Sequence, residues 1–87
     1  MAKSKIPKHR LIRMYLVNKR QHLGLSQTKV AILSNISRQH YSRIENGDIG
    51  SNIYFRTINN IAHALAIPIS LIWEEECKYQ ELLRRAK

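Results

Sequence analysis

The sequence predicts an all-α fold of five short helices. Three observations lead there: apolar residues recur at spacings of three and four along most of the chain, Ser, Asn and Gly fall where helix caps belong, and strand signals are weak throughout. With 87 residues the chain is one small domain, long enough for a single core and too short for a multidomain enzyme. A hydrophobic fraction of 44% argues for a packed interior over disorder. No apolar run approaches the roughly 18 residues that a membrane-spanning helix requires.

Each helix is justified by its own stripe and punctuation. Pro7 suits a first helical position, and Leu11, Ile12, Tyr15, Leu16 and Leu23 follow at helical spacing before Gly24, a natural stop. The second helix spans about 26–34. Ser26 caps it, Leu25 and Val30 form a hydrophobic staple across the cap, and Val30, Ala31 and Leu33 are expected to face inward. After Ser34, Asn35 falls in a turn where one residue needs φ > 0, a conformation Asn tolerates better than most non-Gly residues. The third helix, about 37–46, repeats the grammar with Ser37 as cap, Ile36 and Tyr41 as staple, and Asn46-Gly47 as terminator. Two short capped helices joined by a tight turn make a helix-turn-helix. A polar loop from Asp48 to Asn52 follows. Phe55, Ile58, Ile61, Ala62 and Leu65 then mark a fourth helix that stops near Pro68, and Ser70 is expected to cap a fifth running through Trp73, Cys77, Leu82 and Leu83. The chain divides into a basic arm (1–8), the helix-turn-helix domain (9–73) and a last helix (70–87) for packing and dimerisation.

Charge is segregated along this framework. Fifteen Lys and Arg against six acids give a net charge of +9, which calls for a polyanionic partner, nucleic acid or an anionic membrane face. Residues 1–24 carry seven of these cations and no acid, residues 57–73 carry no charged side chain at all, and the tail from Glu74 balances four acids with four bases. A solvated basic face explains such a run equally well, so the fold must decide.

The third helix has the properties that reading DNA demands. A major groove admits one helix, whose amino end presents free N–H groups and planar or short polar side chains to base edges and phosphates. Ser37, Arg38, Gln39 and Arg43 fit that role, Arg pairing with guanine O6 and N7 and Gln with adenine N6 and N7, while Tyr41 and Ile44 point to the core. Each of the four is also explained as a solvated side chain or a phosphate contact.

The stretch Gly24-Leu25-Ser26-Gln27-Thr28-Lys29-Val30-Ala31, with Ile36-Ser37-Arg38-Gln39 and Arg43-Ile44-Glu45-Asn46-Gly47, resembles the Cro and phage-repressor (Xre-type) family of helix-turn-helix regulators. The resemblance runs from about Leu11 to Trp73. It implies a lambda-repressor-like fold, double-stranded DNA as partner, a homodimer on a palindromic operator, and repression of transcription. It further implies a phosphate contact by Gln27 and an ion pair between Arg20 and Glu45 bracing two helices; Thr28 is a further phosphate candidate, as are His40 and Ser42, which border the reading face. Asn46, Ser51, Asn52 and Arg56 in and after the loop are phosphate candidates, as relatives approach the DNA strand there; a solvated loop is the alternative. Lys5, Lys8 and Arg10 would add salt-sensitive contacts. Two departures stand out: Asn35 replaces the usual Gly of the turn, and the loop after Gly47 is a few residues longer than the common pattern.

Other chemistries find no support in the sequence. His9, His22, His40 and His63 lack the spacing of a metal cluster with one another or with Cys77, so no metal or cofactor is expected. No phosphate-binding glycine loop, nucleophile elbow or acid pair is present, and the protein is expected to be a non-enzyme without a small-molecule ligand. A single cysteine excludes a disulfide framework, Cys77 is expected to pack within its helix, and with no apolar segment after the first lysines the expected compartment is the cytoplasm. Ile69, Ile72, Trp73, Cys77 and Leu83 are expected both to close the core and to offer part of a surface to a second copy. An antitoxin that masks a toxin with its last helix, and a protein-interaction bundle of incidental charge, are the competing readings.

Overall fold

The computed structural model describes residues 11–85. Five helices follow in order: α1 (Met14–His22), α2 (Gln27–Leu33), α3 (Arg38–Glu45), α4 (Phe55–Ala64) and α5 (Ile69–Arg85). Among the described residues there is no strand. Helix α2 packs on both α3 and α4, α4 on α5, and α1 closes against α3.

Capping accounts for the middle of the fold. Ser26 and Ser37 sit in extended backbone and their hydroxyls accept from the N–H of Lys29 and of His40, each at 3.0 Å, satisfying one free donor per helix. The ends of α1, α2 and α4 share one device. At Gly24 (φ 70°) and Asn35 (φ 61°) the chain turns left-handed, and two N–H groups return to the last turn: Gly24 to Gln21 and Leu25 to Arg20, then Asn35 to Ile32 and Ile36 to Ala31. The same pair of bonds closes α4, from Ala66 to His63 and from Ile67 to Ala62, with Ala66 at φ 55°. Helix α4 therefore ends at Ala64, ahead of Pro68, by a motif that an alanine does not advertise.

Leu16, Val30, Ala31, Tyr41, Ile44, Ile58, Ile61, Ala62, Leu65 and Ile72 form the core, and Leu25 and Ile36 pack against it from the two caps. Full burial of a side chain such as Ile58 or Leu65 contributes about 1.5–3 kcal/mol.

The structure corrects several expectations. Helix α1 begins at Met14, and residues 11–13 are not helical, because the Arg13 backbone N–H donates to the Glu45 carbonyl (2.8 Å) and its side chain turns into the interior. Leu11 and Ile12 thus lie ahead of α1, and Pro7 lies outside the described residues. Leu23, at the other end of that stripe, is 41% exposed. Leu33 is 49% exposed; the inward position after Ala31 is taken by Ser34, one helical turn beyond Val30. Phe55 is 67% exposed and stacks on Trp73 with ring centroids 5.1 Å apart, in place of entering the core. Ser70 lies inside α5, whose first helical bond runs from Ile72 to the Pro68 carbonyl at 3.0 Å, so it is not the cap. Cys77 is exposed, since the buried side of α5 runs through Ile72, Glu76 and Tyr79.

Candidate nucleic-acid interface

Helix α3 is divided lengthwise. Tyr41 and Ile44 are fully buried, and Glu45 nearly so, whereas Arg38, Gln39 and Arg43 are exposed and their side chains make no hydrogen bond or ion pair among the described residues. The first helical bond of α3 runs from the Tyr41 N–H to the Ser37 carbonyl, and the cap takes the N–H of His40. The N–H groups of Arg38 and Gln39 therefore have no helical partner, and they point out of an exposed amino end where the helix dipole favours negative charge.

The back of α3 is locked by one carboxylate. Glu45 accepts four bonds, two per oxygen: Arg20 Nε (2.7 Å) and the Tyr41 hydroxyl (2.8 Å) on Oε2, Arg20 Nη2 (3.0 Å) and Gln27 Nε2 (2.7 Å) on Oε1. Arg20 also donates to the Leu25 carbonyl at 3.0 Å. One side chain thus ties α1, α2 and α3 together. Burial pushes the Glu45 carboxyl up, but the bonds from Arg20, Gln27 and Tyr41 outweigh it and hold the group below the ordinary carboxylate range. The structure therefore brings Arg20 and Glu45 together. It also gives Gln27 an internal partner, leaving one of the two N–H groups of its amide for a further acceptor.

A second carboxylate, which sequence reasoning missed, is bound by the same three residue types. Glu76 accepts from Arg13 Nε and Nη2 (both 2.9 Å), from the Tyr15 hydroxyl (2.5 Å) and from Gln80 Nε2 (2.7 Å). Arg13 is fully buried, its guanidinium 4.2 Å from the ring centre of Tyr79, and it donates as well to the carbonyls of Ile44 (2.8 Å), Ile49 (2.5 Å) and Gly50 (2.7 Å). Burial and the bond to Glu76 push the Tyr15 hydroxyl far above its ordinary value, whereas Glu76, raised by burial, is brought below its own by Arg13 and Tyr15. A signal for this cluster is present in the spacing. Arg13 stands three and seven residues before the inward-facing Leu16 and Arg20, and Glu76 stands between the inward-facing Ile72 and Tyr79.

The remaining candidates fall as follows. Thr28, Ser51, Asn52 and Arg56 are exposed, and His40 and Ser42 are half-buried on α3. Asn46 Oδ1 accepts from the Asp48 N–H at 3.0 Å, which stiffens the start of the loop and leaves the Asn46 amide N–H groups outward. Arg10, Lys5 and Lys8 lie outside the described residues. Four of the acids satisfy internal or tail partners, Glu45 and Glu76 in the interior, Glu75 with Lys78, and Glu81 with Arg84 and Arg85. Lys29, Arg38, Arg43 and Arg56 are thereby left without an acidic partner among the described residues, a net positive surface on α2, α3 and the start of α4. No group of three or more His, Cys, Asp or Glu capable of holding a metal occurs among the described residues. Nor is any helix there long and apolar enough to cross a membrane.

Two capped helices joined by a left-handed residue, the second presenting unpaired polar side chains outward, have a counterpart among known sequences: the profile of the helix-turn-helix family matches residues 16–72, more than half of the chain. The chain is a helix-turn-helix protein. The match runs from α1 to the start of α5 and bears out the Cro/C1-type resemblance. This helix-turn-helix family is one of DNA-binding transcriptional regulators, and that function carries to the chain. No curated protein and no solved structure matches it.

Proposed function

We propose that this helix-turn-helix protein is a sequence-specific repressor that acts in the cytoplasm and binds a palindromic operator as a two-fold dimer, with α3 in the major groove. The observation that carries this reading is the division of α3, an inner side bonded into the core through Glu45 and Tyr41 and an outer side holding Arg38, Gln39 and Arg43 free. In this reading Ser37, Arg38, Gln39 and Arg43 meet base edges. Gln27, Thr28, His40, Ser42, Asn46, Ser51, Asn52 and Arg56 meet the sugar-phosphate strand, and residues 1–8 form a basic arm that adds salt-sensitive affinity. One helix covers only a few base pairs, so a dimer placing two half-sites about 34–36 Å apart supplies specificity. An exposed apolar patch supports a second copy: Tyr54 is 77% exposed beside the Phe55–Trp73 stack, and Ile69 adjoins it in the charge-free segment.

Selection of bound duplexes from a randomised pool at physiological salt tests the reading, run in parallel on Gln39→Ala and Arg43→Ala. The wild type is expected to enrich an inverted repeat, and each variant to lose preference at defined positions by roughly 5–150-fold, the equivalent of about 1–3 kcal/mol per bidentate base contact. Absence of enrichment, or variants that select the same sequence with equal preference, would refute it.

A further inference from the structure

We infer that α5 positions the loop between α3 and α4 for its contact with the DNA strand, with Gln80 and Leu83 as positioning residues. The inference rests on the DNA-binding reading above and adds to it a role for the last helix. Residues 46–54 span the gap between α3 and α4; the Asp48 N–H donates to Asn46 Oδ1, and the Ile49 N–H reaches back to the Arg43 carbonyl of α3 at 3.0 Å. What holds the loop comes from outside it. The Ile49 and Gly50 carbonyls accept from Arg13, and the Gly50 carbonyl also accepts from Gln80 Nε2 at 3.0 Å. Gly50 lies close against Leu83, since a β-carbon there would come within 3.2 Å of Leu83 Cδ1. The inner edge of the loop is pinned by α5 and Arg13, and its outer edge presents exposed Ser51 and Asn52.

Hydrogen bonds to phosphate require donor–acceptor distances of about 2.7–3.2 Å, so a displacement near 1 Å removes them. Neither Gln80 nor Leu83 belongs to the reading helix or to the residues proposed to touch DNA. Gln80 bonds both to the loop and to Glu76 (2.7 Å), so it registers the loop against the buried Arg13–Glu76 pair. Gly50 is not left-handed, which makes alanine there acceptable to the backbone and leaves contact with Leu83 as the obstacle.

The test uses the full chain and the duplex selected by the wild type. Gln80→Leu is expected to weaken binding about tenfold at every salt concentration and to leave the slope of log K against log salt unchanged, because Ser51 and Asn52 carry no charge. Gly50→Ala, whose methyl group asks Leu83 to give by only a few tenths of an ångström, is expected to weaken it in the same way but by less. Both are expected to select the wild-type sequence. Adding Leu83→Ala to Gly50→Ala makes room for the methyl group and is expected to restore affinity. All measurements are made below the unfolding transition of each variant, so a stability loss alone does not move the affinity. Wild-type affinity in Gln80→Leu and Gly50→Ala, with binding that still depends on Arg43, would overturn the positioning role alone. Failure of Leu83→Ala to rescue would overturn the steric half of it. A wild-type protein that binds no duplex would overturn the DNA-binding reading and this inference together.

Discussion

Replacing Glu76 by Gln separates the two buried carboxylates by their cost. At position 76 the substitution removes a negative charge and turns one acceptor oxygen into an NH2 group. Whichever way the amide faces, Arg13 and one further donor lose their acceptor, because each Glu76 oxygen receives one bond from Arg13 and one from Tyr15 or Gln80. Two bonds to a charged group are worth about 1.5–3 kcal/mol each, and breaking a buried ion pair costs about 3–5 kcal/mol. The two routes converge on about 3–5 kcal/mol, a large share of the roughly 5–15 kcal/mol that holds a typical domain together. Glu45→Gln disturbs an equivalent bond set, but the Arg20 side chain is 14% exposed where that of Arg13 is 0% exposed, so water relieves part of the loss. Its expected cost is about 2–3 kcal/mol. Urea unfolding followed by far-ultraviolet circular dichroism, with trimethylamine N-oxide added to keep both variants folded at the start, measures the difference. With a slope near 1 kcal/mol per M, the Glu76→Gln midpoint falls below the Glu45→Gln midpoint by about 1–2 M. A cost of about 1 kcal/mol or less for Glu76→Gln, or the reverse order of the two variants, refutes the argument from burial.

Two further predictions concern the backbone and pH. Ala66 is exposed and left-handed, a conformation that costs an L-residue about 1–2 kcal/mol, while glycine loses about 0.4–1 kcal/mol more entropy on folding. Ala66→Gly is therefore expected to stabilise the protein by about 0.5–1 kcal/mol and to raise the melting temperature by about 2–8 °C; a calorimetric scan showing a lower temperature contradicts this. The Glu45 and Glu76 carboxyls lie below their ordinary value of 4.5 in the folded state, so their contribution is complete above that pH and is lost as pH falls through the folded values. Tyr15 and Tyr41 lie above their ordinary value of 10.0, so the stability linked to them is complete below pH 10 and is lost as pH rises through the folded values. Unfolding free energies across the pH range are expected to show both flanks, and a shallower acid flank in the milder Glu45→Gln variant is the check; an unaltered flank counts against the assignment.

What the sequence made legible was local. Ser26, Ser37, Gly24 and Asn35 act within a few residues of themselves, so their roles were readable without the fold. The inward pair Tyr41 and Ile44 followed from helical spacing in the same way. The start of α1 was misplaced because it depends on a bond from Arg13 to Glu45, a partner 32 residues away on another helix. Arg13 and Glu76 were hidden for a related reason. In a charge count Arg13 is one more member of a basic run and Glu76 one of four acids in a balanced tail, and only their meeting shows that both are interior. Ala66 carries no turn signature at all, and Phe55 fits a core stripe until Trp73 offers it a partner at the surface. In the candidate interface the outward placement of Arg38, Gln39 and Arg43 was legible from α3 alone, whereas the hold of α5 on the loop was not, since the contacts at Gly50 come from Arg13, Gln80 and Leu83.

The two sides of α3 also differ in what they leave open to change. Ser37 at one end and Glu45 at the other fix the helix with bonds in which Arg38, Gln39 and Arg43 take no part. Replacements at these three exposed positions should alter stability by no more than about 0.5 kcal/mol, provided that helix propensity is kept. With the base contacts proposed above, the target sequence is free to change while the frame stays constant. A duplicated copy could thus acquire a new target by surface changes on one short helix, without first having to refold around them.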